Sequence, residues 1–384
     1  MFKTVLPGQT IGILGGGQLG RMMALSAREM GYRVTVLEPA TDSPCGQVSD
    51  LEIVTAYDDE NGIKELAEKS DVITYEFENV DVKSAKWLEN NANLPQGSRL
   101  LEVTQHRLRE KETLFAAGVK IAPFRPVHDG ESLLDAVQYT GLPAVLKTCR
   151  GGYDGKGQVV IRSHKDFSIA EELLKYGNDF VLEAWVPFEK EISVIITRGV
   201  NGEVTTFPVA ENIHVDNILH QTIVPARITS EVEMKAKRMA RMIAAELDLV
   251  GTLAVEMFAA KDGTLYVNEL APRPHNSGHY TIEACAVSQF DQHIRAITGM
   301  PLGSTKLLKP AVMINVLGEH IESILNHLSE LKEAKLHLYG KEEAKTKRKM
   351  GHITVLGETI DEAMAESSRI LDKVFPKKPT EVQS

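Results

Sequence analysis

Two glutamates bracket a turn in a way that calls for a cation. The stretch Thr252–Ala260, Lys261-Asp262-Gly263-Thr264, Leu265–Glu269 places Asp-Gly between two apolar runs, a strong signal for an antiparallel hairpin. With Asp262 and Gly263 as the two turn residues, Lys261 faces Thr264. Counting back along both arms sets Glu256 directly opposite Glu269. Like charges so placed destabilise a hairpin, and Leu253, Val255, Phe258, Val267 and Leu270 around them are apolar. A Mg²⁺ ion relieves the conflict, because carboxylates together with substrate phosphates are its usual ligands. Asn268 adds a neutral oxygen beside Glu269, although the period of two turns it away unless the strand bends there. The bland alternative is one glutamate facing solvent across a sheet edge.

Other residues point to phosphate chemistry. Lys147 ends an apolar strand, and Gly151 with Gly152-Tyr153-Asp154-Gly155-Lys156-Gly157-Gln158 follows it. Such a lysine can place its ammonium on a phosphate, and a glycine loop can close over a triphosphate with bare N–H groups. It is not a Walker sequence, and a surface hairpin with a solvated lysine is the competing reading. Ala271-Pro272-Arg273-Pro274-His275-Asn276-Ser277-Gly278-His279 directly follows the glutamate hairpin. Its prolines fix the backbone while Arg273, His275, Asn276 and His279 offer donors suited to an oxyanion such as bicarbonate. An ordinary polar loop has the same composition.

Gly15-Gly16-Gly17-Gln18-Leu19-Gly20 lies between a strand and a helix, with Glu38 ending the next strand. That pattern fits a dinucleotide site, a site for another phosphate, or plain close packing. Glu76 leaves a third strand at the end where open α/β sheets bind ligands. A basic cluster runs from Lys341 through Lys345, Lys347, Arg348 and Lys349 to His352. It could hold a substrate phosphate or be a solvated turn.

These groups need a scaffold, and the hydrophobic pattern supplies one. Strands at Thr10–Leu14, Arg33–Leu37 and Asp71–Tyr75 alternate with helices at Leu19–Met30 and Ile63–Glu68, which predicts a parallel sheet. A charged helix over Gln105–Ala117 leaves that unit. Short strands follow at Ala144–Lys147, Gln158–Arg162, Phe180–Val186 and Ile192–Thr197, then a helix over Glu231–Leu247. A last unit carries strands Val312–Val316 and His352–Leu356 and a helix over Ile360–Val374. The expected units are 1–105, 106–190, 191–304 and 305–384, in a chain of 384 residues too long for one core.

Bulk properties exclude several classes. A net charge of −10 opposes a nucleic-acid or anionic-membrane surface, so an anionic ligand must meet local basic groups. Cys45, Cys149 and Cys285 are an odd set without metal-type spacing, which fits a reducing cytoplasm. The N-terminus lacks the pattern of a signal peptide, and no apolar run is long enough to span a bilayer.

Taken together, Lys147, the GGYDGKG loop, Glu183-Ala184-Trp185-Val186, Glu191 and Glu256 with Asn268-Glu269 resemble the ATP-grasp superfamily. GGGQLGRM, YEFENV, GGYDGKGQ, NELAPRPHNSGH and KMGH narrow the likeness to the N5-carboxyaminoimidazole ribonucleotide synthetases of purine biosynthesis. The resemblance implies an α/β, three-domain homodimer with an N-terminal parallel-sheet domain, a two-part ATP-grasp domain and a small C-terminal domain. It implies ATP, Mg²⁺ and bicarbonate as reactants or cofactors, with carboxyphosphate as intermediate. ATP would meet Arg107, Lys147, Gly152–Gln158, Glu183–Val186, Glu191, His214 and Asn268-Glu269, and Glu256 and Glu269 would hold Mg²⁺. The ribonucleotide would sit among Gln18, Glu76, Tyr153, Asp154, Lys156 and Arg273, its phosphate near Lys341 and Arg348. Lys147, Arg273, His275 and Asn276 would act in the chemistry. The family pattern before KMGH is Arg-Pro-Gly-Arg, where this chain has Lys345-Thr346-Lys347-Arg348, so charge is kept but bidentate geometry at 345 is lost. Rival readings are an ATP-grasp ligase using formate or a biotinyl carrier, a dinucleotide-dependent oxidoreductase, and a nucleotide sensor without turnover.

Overall fold

The computed structural model describes residues 3–151, 157–177 and 179–375. Its first unit is an all-parallel sheet of β1 (Thr10–Leu14), β2 (Arg33–Glu38), β3 (Leu51–Val54) and β4 (Val72–Tyr75), ordered β3-β2-β1-β4. Strands β1 and β4 are buried almost throughout, as expected for a sheet covered on both faces, although β4 stands at an edge. Strand β3 was not anticipated. It is an edge strand with only Ile53 buried, so it lacks the apolar run that announces its neighbours.

The helix expected over Gln105–Ala117 is present as Arg107–Ala116, and another, unforeseen helix, Arg99–Thr104, precedes it. His106 between them is extended (φ −136°, ψ 105°), and the Arg107 N–H donates to the Cys149 carbonyl at 2.9 Å. The break aims the first turn of the second helix at the large sheet.

A small antiparallel sheet follows, made of β5 (Phe124–Val127), β6 (Ala144–Thr148), β7 (Gln158–Ile161) and β8 (Phe180–Ala184), ordered β5-β8-β6-β7. Lys147 stands opposite Gln158 across β6 and β7, and Gly151 and Gly157, which flank the glycine-rich connection, have φ of +67° and +70°. Those angles favour glycine at both ends. Gly152, Tyr153, Asp154, Gly155 and Lys156 lie outside the described residues.

The largest element is a nine-stranded antiparallel sheet. It comprises β9 (Lys190–Arg198), β10 (Val204–Thr206), β11 (Ala210–Val215), β12 (Ile218–Val224), β13 (Gly251–Ala259), β14 (Leu265–Ala271), β15 (Ala311–Leu317), β16 (Ala334–Leu338) and β17 (Lys349–Leu356). Its order is β14-β13-β9-β11-β12-β15-β17-β16, with β10 beside β9. The strands after residue 305 therefore form no separate sheet; they extend the central one through the β12–β15 pair. Helix Ser230–Glu246 covers one face with Val232, Ala236, Ala240 and Ile243, whose spacing of three and four makes a continuous stripe. Helix Ile360–Val374 does the same for the C-terminal strands through Ala363, Ser367, Ile370 and Val374. Among the described residues, no helix is long and apolar enough to cross a membrane.

Strands β11 and β12 were also unforeseen. Their turn is Asp216-Asn217, both at positive φ (52° and 62°), a mirror-image hairpin turn without glycine.

Candidate active site

The glutamate hairpin has the expected pair but a different turn. At the tip the Ala260 N–H donates to the Thr264 carbonyl, and Lys261-Asp262-Gly263 form a three-residue loop with Gly263 at φ +77°. That shifts the register by one, and Ala259 pairs with Leu265, Phe258 with Tyr266 and Met257 with Val267. A bulge at Asn268 then restores it, so that Glu256 faces Glu269 after all. Two single-residue slips cancel. The bend that the period of two required for Asn268 is this bulge, and the Lys111 ammonium donates to the Asn268 carbonyl at 2.8 Å.

Register shifts also occur in the same sheet between Ile213 and His214 and between Val316 and Leu317, the latter opposite Lys349. All three irregularities adjoin residues that line one cavity of about 580 Å³ between the small and large sheets. Bulges of this kind re-aim side chains beside binding sites.

That cavity, the carboxylate cavity, is a buried ionic network. Glu183 on β8 has one carboxylate oxygen 3.1 Å from the Lys111 ammonium and the other 3.2 Å from that of Lys147. Burial alone would raise its pKa, but the two lysines prevail and hold it down to about 2. Burial lowers the pKa of Lys147, against the pull of Glu183. Arg107, released by the helix break, places its guanidinium 3.5 Å from Glu269. Three cations thus converge where a polyphosphate would bring compensating charge. Glu191 on β9 and His214 on β11 lie 3.0 Å apart on the same wall.

Burial, and after it the like charge of Glu269, pushes the Glu256 carboxyl up to about 8. His275 Nε2 lies 3.1 Å from it. The Ser277 N–H donates to His275 Nδ1, which leaves the ring proton on Nε2, facing the glutamate. Burial and the neighbouring Arg273 keep this imidazole neutral, well below the usual histidine range. Two facing carboxylates of this kind, with the Asn268 bulge alongside, offer the donor chemistry that suits a hard divalent cation.

Where β8 ends, the Ala184 and Trp185 amides donate to the Pro123 and Pro143 carbonyls. Phe258, stacked on Phe188 at 4.5 Å, and Leu270 supply apolar walls that sequence reasoning had not assigned.

A second cavity of about 720 Å³, the basic cavity, lies beside the parallel sheet. Gln18, Glu76, Lys341, Lys345 and Arg348 line it. Glu76 does not face it freely. It is buried, one oxygen accepting from the Gly17 amide at 2.5 Å and the other from the Leu19 amide at 2.9 Å. Glu38 accepts from the Gly16 amide at 2.7 Å and from the Tyr57 hydroxyl at 2.5 Å. The N–H groups that would cradle a pyrophosphate are thereby taken by the protein's own carboxylates, which removes the basis of the dinucleotide reading. A side chain at position 17 would put its Cβ 2.4 Å from Glu76, so the glycine there serves close packing. Across the cavity, the Lys341 ammonium donates to the Lys349 carbonyl at 2.8 Å, and burial lowers its pKa to about 8. Arg348 donates to the Glu343 carbonyl, and Lys345 pairs with Glu343 at 2.6 Å.

The two cavities share one wall: Arg273, His275, Asn276 and Lys349 border both. Glu78 fixes Arg273 with a two-point contact at 2.5 and 3.2 Å, a role the sequence did not suggest. Asn276 forms a reciprocal amide pair with Asn315 at 2.9 and 2.7 Å. Gln289 bonds both the N–H and the C=O of His275. His279, expected among the loop donors, lines neither cavity and is buried against Phe290 and His352. The same loop that turns Arg273 outward buries this ring beneath it.

Comparison with known proteins agrees along the whole chain. Residues 8–105 match the ribonucleotide synthetase preATP-grasp domain, 112–290 the ATP-grasp domain and 311–366 the phosphoribosylaminoimidazole carboxylase C-terminal domain. The N5-carboxyaminoimidazole ribonucleotide synthase of Bacillus subtilis (strain 168) is 56% identical over 364 residues, covering 95% of this chain and 96% of the relative. A crystal structure of an N5-carboxyaminoimidazole ribonucleotide synthetase in complex with ADP is 58% identical with a TM-score of 0.95, covering 98% and 100% of the two chains. The Aspergillus clavatus synthase in complex with ADP and 5-aminoimidazole ribonucleotide is 34% identical with a TM-score of 0.89, covering 95% and 98%. With its three domain types in order and its site built from their junction, the chain belongs to the N5-carboxyaminoimidazole ribonucleotide synthase family of ATP-grasp enzymes.

Proposed function

We propose that the chain carboxylates 5-aminoimidazole ribonucleotide on its exocyclic amine, using ATP and bicarbonate, with carboxyphosphate passing across the wall between the two cavities. The observation that carries this reading is that shared wall. A ligase that activates one small anion and hands it to an amine needs its two substrate sites to open onto the same few donors.

ATP would occupy the carboxylate cavity, with its base at the exit of β8 against Phe258, its ribose near Glu191 and His214, and its phosphates near Lys147 and Arg107. Mg²⁺, held by Glu256 and Glu269, would neutralise charge on the phosphates. Bicarbonate would lie by Arg273, oriented through Glu78, with the second amide proton of Asn276 and the Lys349 ammonium adjacent. A bicarbonate oxygen attacks the γ-phosphorus, the bond to the β–γ bridging oxygen breaks, and ADP leaves. The ribonucleotide amine then attacks the carboxyl carbon, and phosphate departs as the C–O bond to it breaks, taking up the proton that the amine loses. Lys147 supplies fixed positive charge near the transferring phosphoryl group, the main requirement in such transfers. His275, neutral with its proton toward Glu256, positions that carboxylate. The ribonucleotide phosphate would meet Lys341 and Arg348, while Gln18 lines the opposite side of the cavity. The family pattern also proposes a homodimer, which light scattering can test.

The experiment is ADP release measured with and without bicarbonate and the ribonucleotide. Release should require both. Release indifferent to the ribonucleotide would defeat the substrate assignment, and dependence on formate in place of bicarbonate would transfer it to another ligase type.

A further inference from the structure

Behind the catalytic loop, in neither cavity, lies a second cluster of ligand-type side chains: Glu283, His337 and His352. Glu283 belongs to the short helix Thr281–Ala284, a few residues beyond His275, while His337 and His352 face each other across β16 and β17. One donor atom from each lies within 4.8 Å of the others. The two imidazoles stack at 4.5 Å, and His337 Nε2 sits 2.5 Å from a Glu283 oxygen.

Two polar atoms in this cluster are buried without a hydrogen-bond partner: Nε2 of His352, a fully buried residue, and the second carboxylate oxygen of Glu283. Buried polar groups are almost always paired, so two orphans in one cluster need a reason. The Tyr339 hydroxyl meets the other ring nitrogen of His352 at 2.9 Å, the outer contact that commonly fixes the tautomer of a metal-bound histidine. His337 is about one-third exposed at its side chain, so an ion has a route in and solvent can complete its coordination.

The geometry points to a transition-metal site in which Glu283, His337 and His352 bind Zn²⁺ or a similar ion, with water as fourth ligand. Two imidazoles and a carboxylate suit zinc, whereas Mg²⁺ and Ca²⁺ take oxygen ligands. Zinc–nitrogen bonds of about 2.0–2.1 Å require the donors to draw together, and the partly exposed His337 ring turns out of its stack to do so. The bound ion ties the β16–β17 edge to the segment that follows His275. It is a structural clasp, separate from the nucleotide chemistry.

The test uses untagged full-length protein stripped of metal, with saturating Mg²⁺ present so that the Glu256–Glu269 pair is filled. Titration with Co²⁺ should produce the intense visible absorption of a low-coordinate ion, saturating at one equivalent per chain and bleached by Zn²⁺. Glu283→Gln and His337→Ala should each lose the band, and Zn²⁺ should raise the melting temperature of the parent protein but not of His337→Ala. A parent protein that shows only the weak absorption of six-coordinate Co²⁺ would overturn the site, as would either variant keeping the band.

Discussion

The two cavities solve the problem of holding anions in opposite ways. In the carboxylate cavity the ionisable groups are buried and locked in place, Glu183 between Lys111 and Lys147, Glu256 against the neutral His275. In the basic cavity the charges sit on one chain segment near the surface, and Arg348 is exposed. Buried networks combine stability with position, so damage there should appear in both folding and turnover. Rim charges act through attraction alone, so damage should appear in substrate affinity and should fade as salt is added.

The sharpest break in this contrast is the acid pair. Replacing both with amides (Glu256→Gln with Glu269→Gln) should lower kcat by about 10³-fold, roughly 4 kcal/mol in the barrier, if the pair holds the cation as proposed. Phosphate release at saturating Mg²⁺ measures this, and a drop smaller than tenfold would remove the pair from the mechanism. Folding should survive, because the unfavourable facing of two carboxylates is relieved.

Next in size is Lys111→Met. It leaves Glu183 buried with only Lys147, and loss of one partner from a buried ion pair costs about 3–5 kcal/mol. Urea unfolding should show a lower midpoint with an unchanged slope. An unchanged midpoint would mean that the network is not structural.

The smallest effect belongs to the rim. Burial, then Arg348, lowers the Lys341 pKa to about 8, so its positive charge is present below that pH and lost above it. The kcat/KM for the ribonucleotide should therefore fall as pH rises through about 8, while kcat stays level, since a bound phosphate restores the charge. Lys341→Arg should flatten this fall. A profile identical in both proteins would exclude Lys341 from phosphate binding.

What could be read from the sequence follows from how each feature is encoded. Strands β1, β4, β6 and β9 carry apolar runs, and their positions were legible. The Glu256–Glu269 pairing was also legible, but through a wrong turn whose error the Asn268 bulge cancelled. No local pattern announces a bulge. Lys111 looked like one charge among many on a surface helix. Its burial depends on the break at His106, which depends in turn on Cys149, some forty residues away. Glu76 illustrates a second kind of gap. Its place at a strand end suggested a ligand, and it does line the basic cavity, but no sequence pattern showed that the amides of the adjacent glycine turn would also hold both its oxygens. The Asp216-Asn217 turn was available as a signal, because both residue types tolerate left-handed backbone, but it is weaker than one containing glycine.

The continuity of the nine-stranded sheet has a further consequence. Glu269, Glu256, Glu191, His214, Leu219 and Lys349 come from six of its strands, and Asn315 of a seventh braces the wall between the cavities. The floor of the carboxylate cavity is thus a single hydrogen-bonded plate, and Lys349 carries its far side into the lining of the basic cavity. Distances across it are set by ladder spacing, so a distortion of its strands beneath the carboxylate cavity would reach the basic cavity through Lys349.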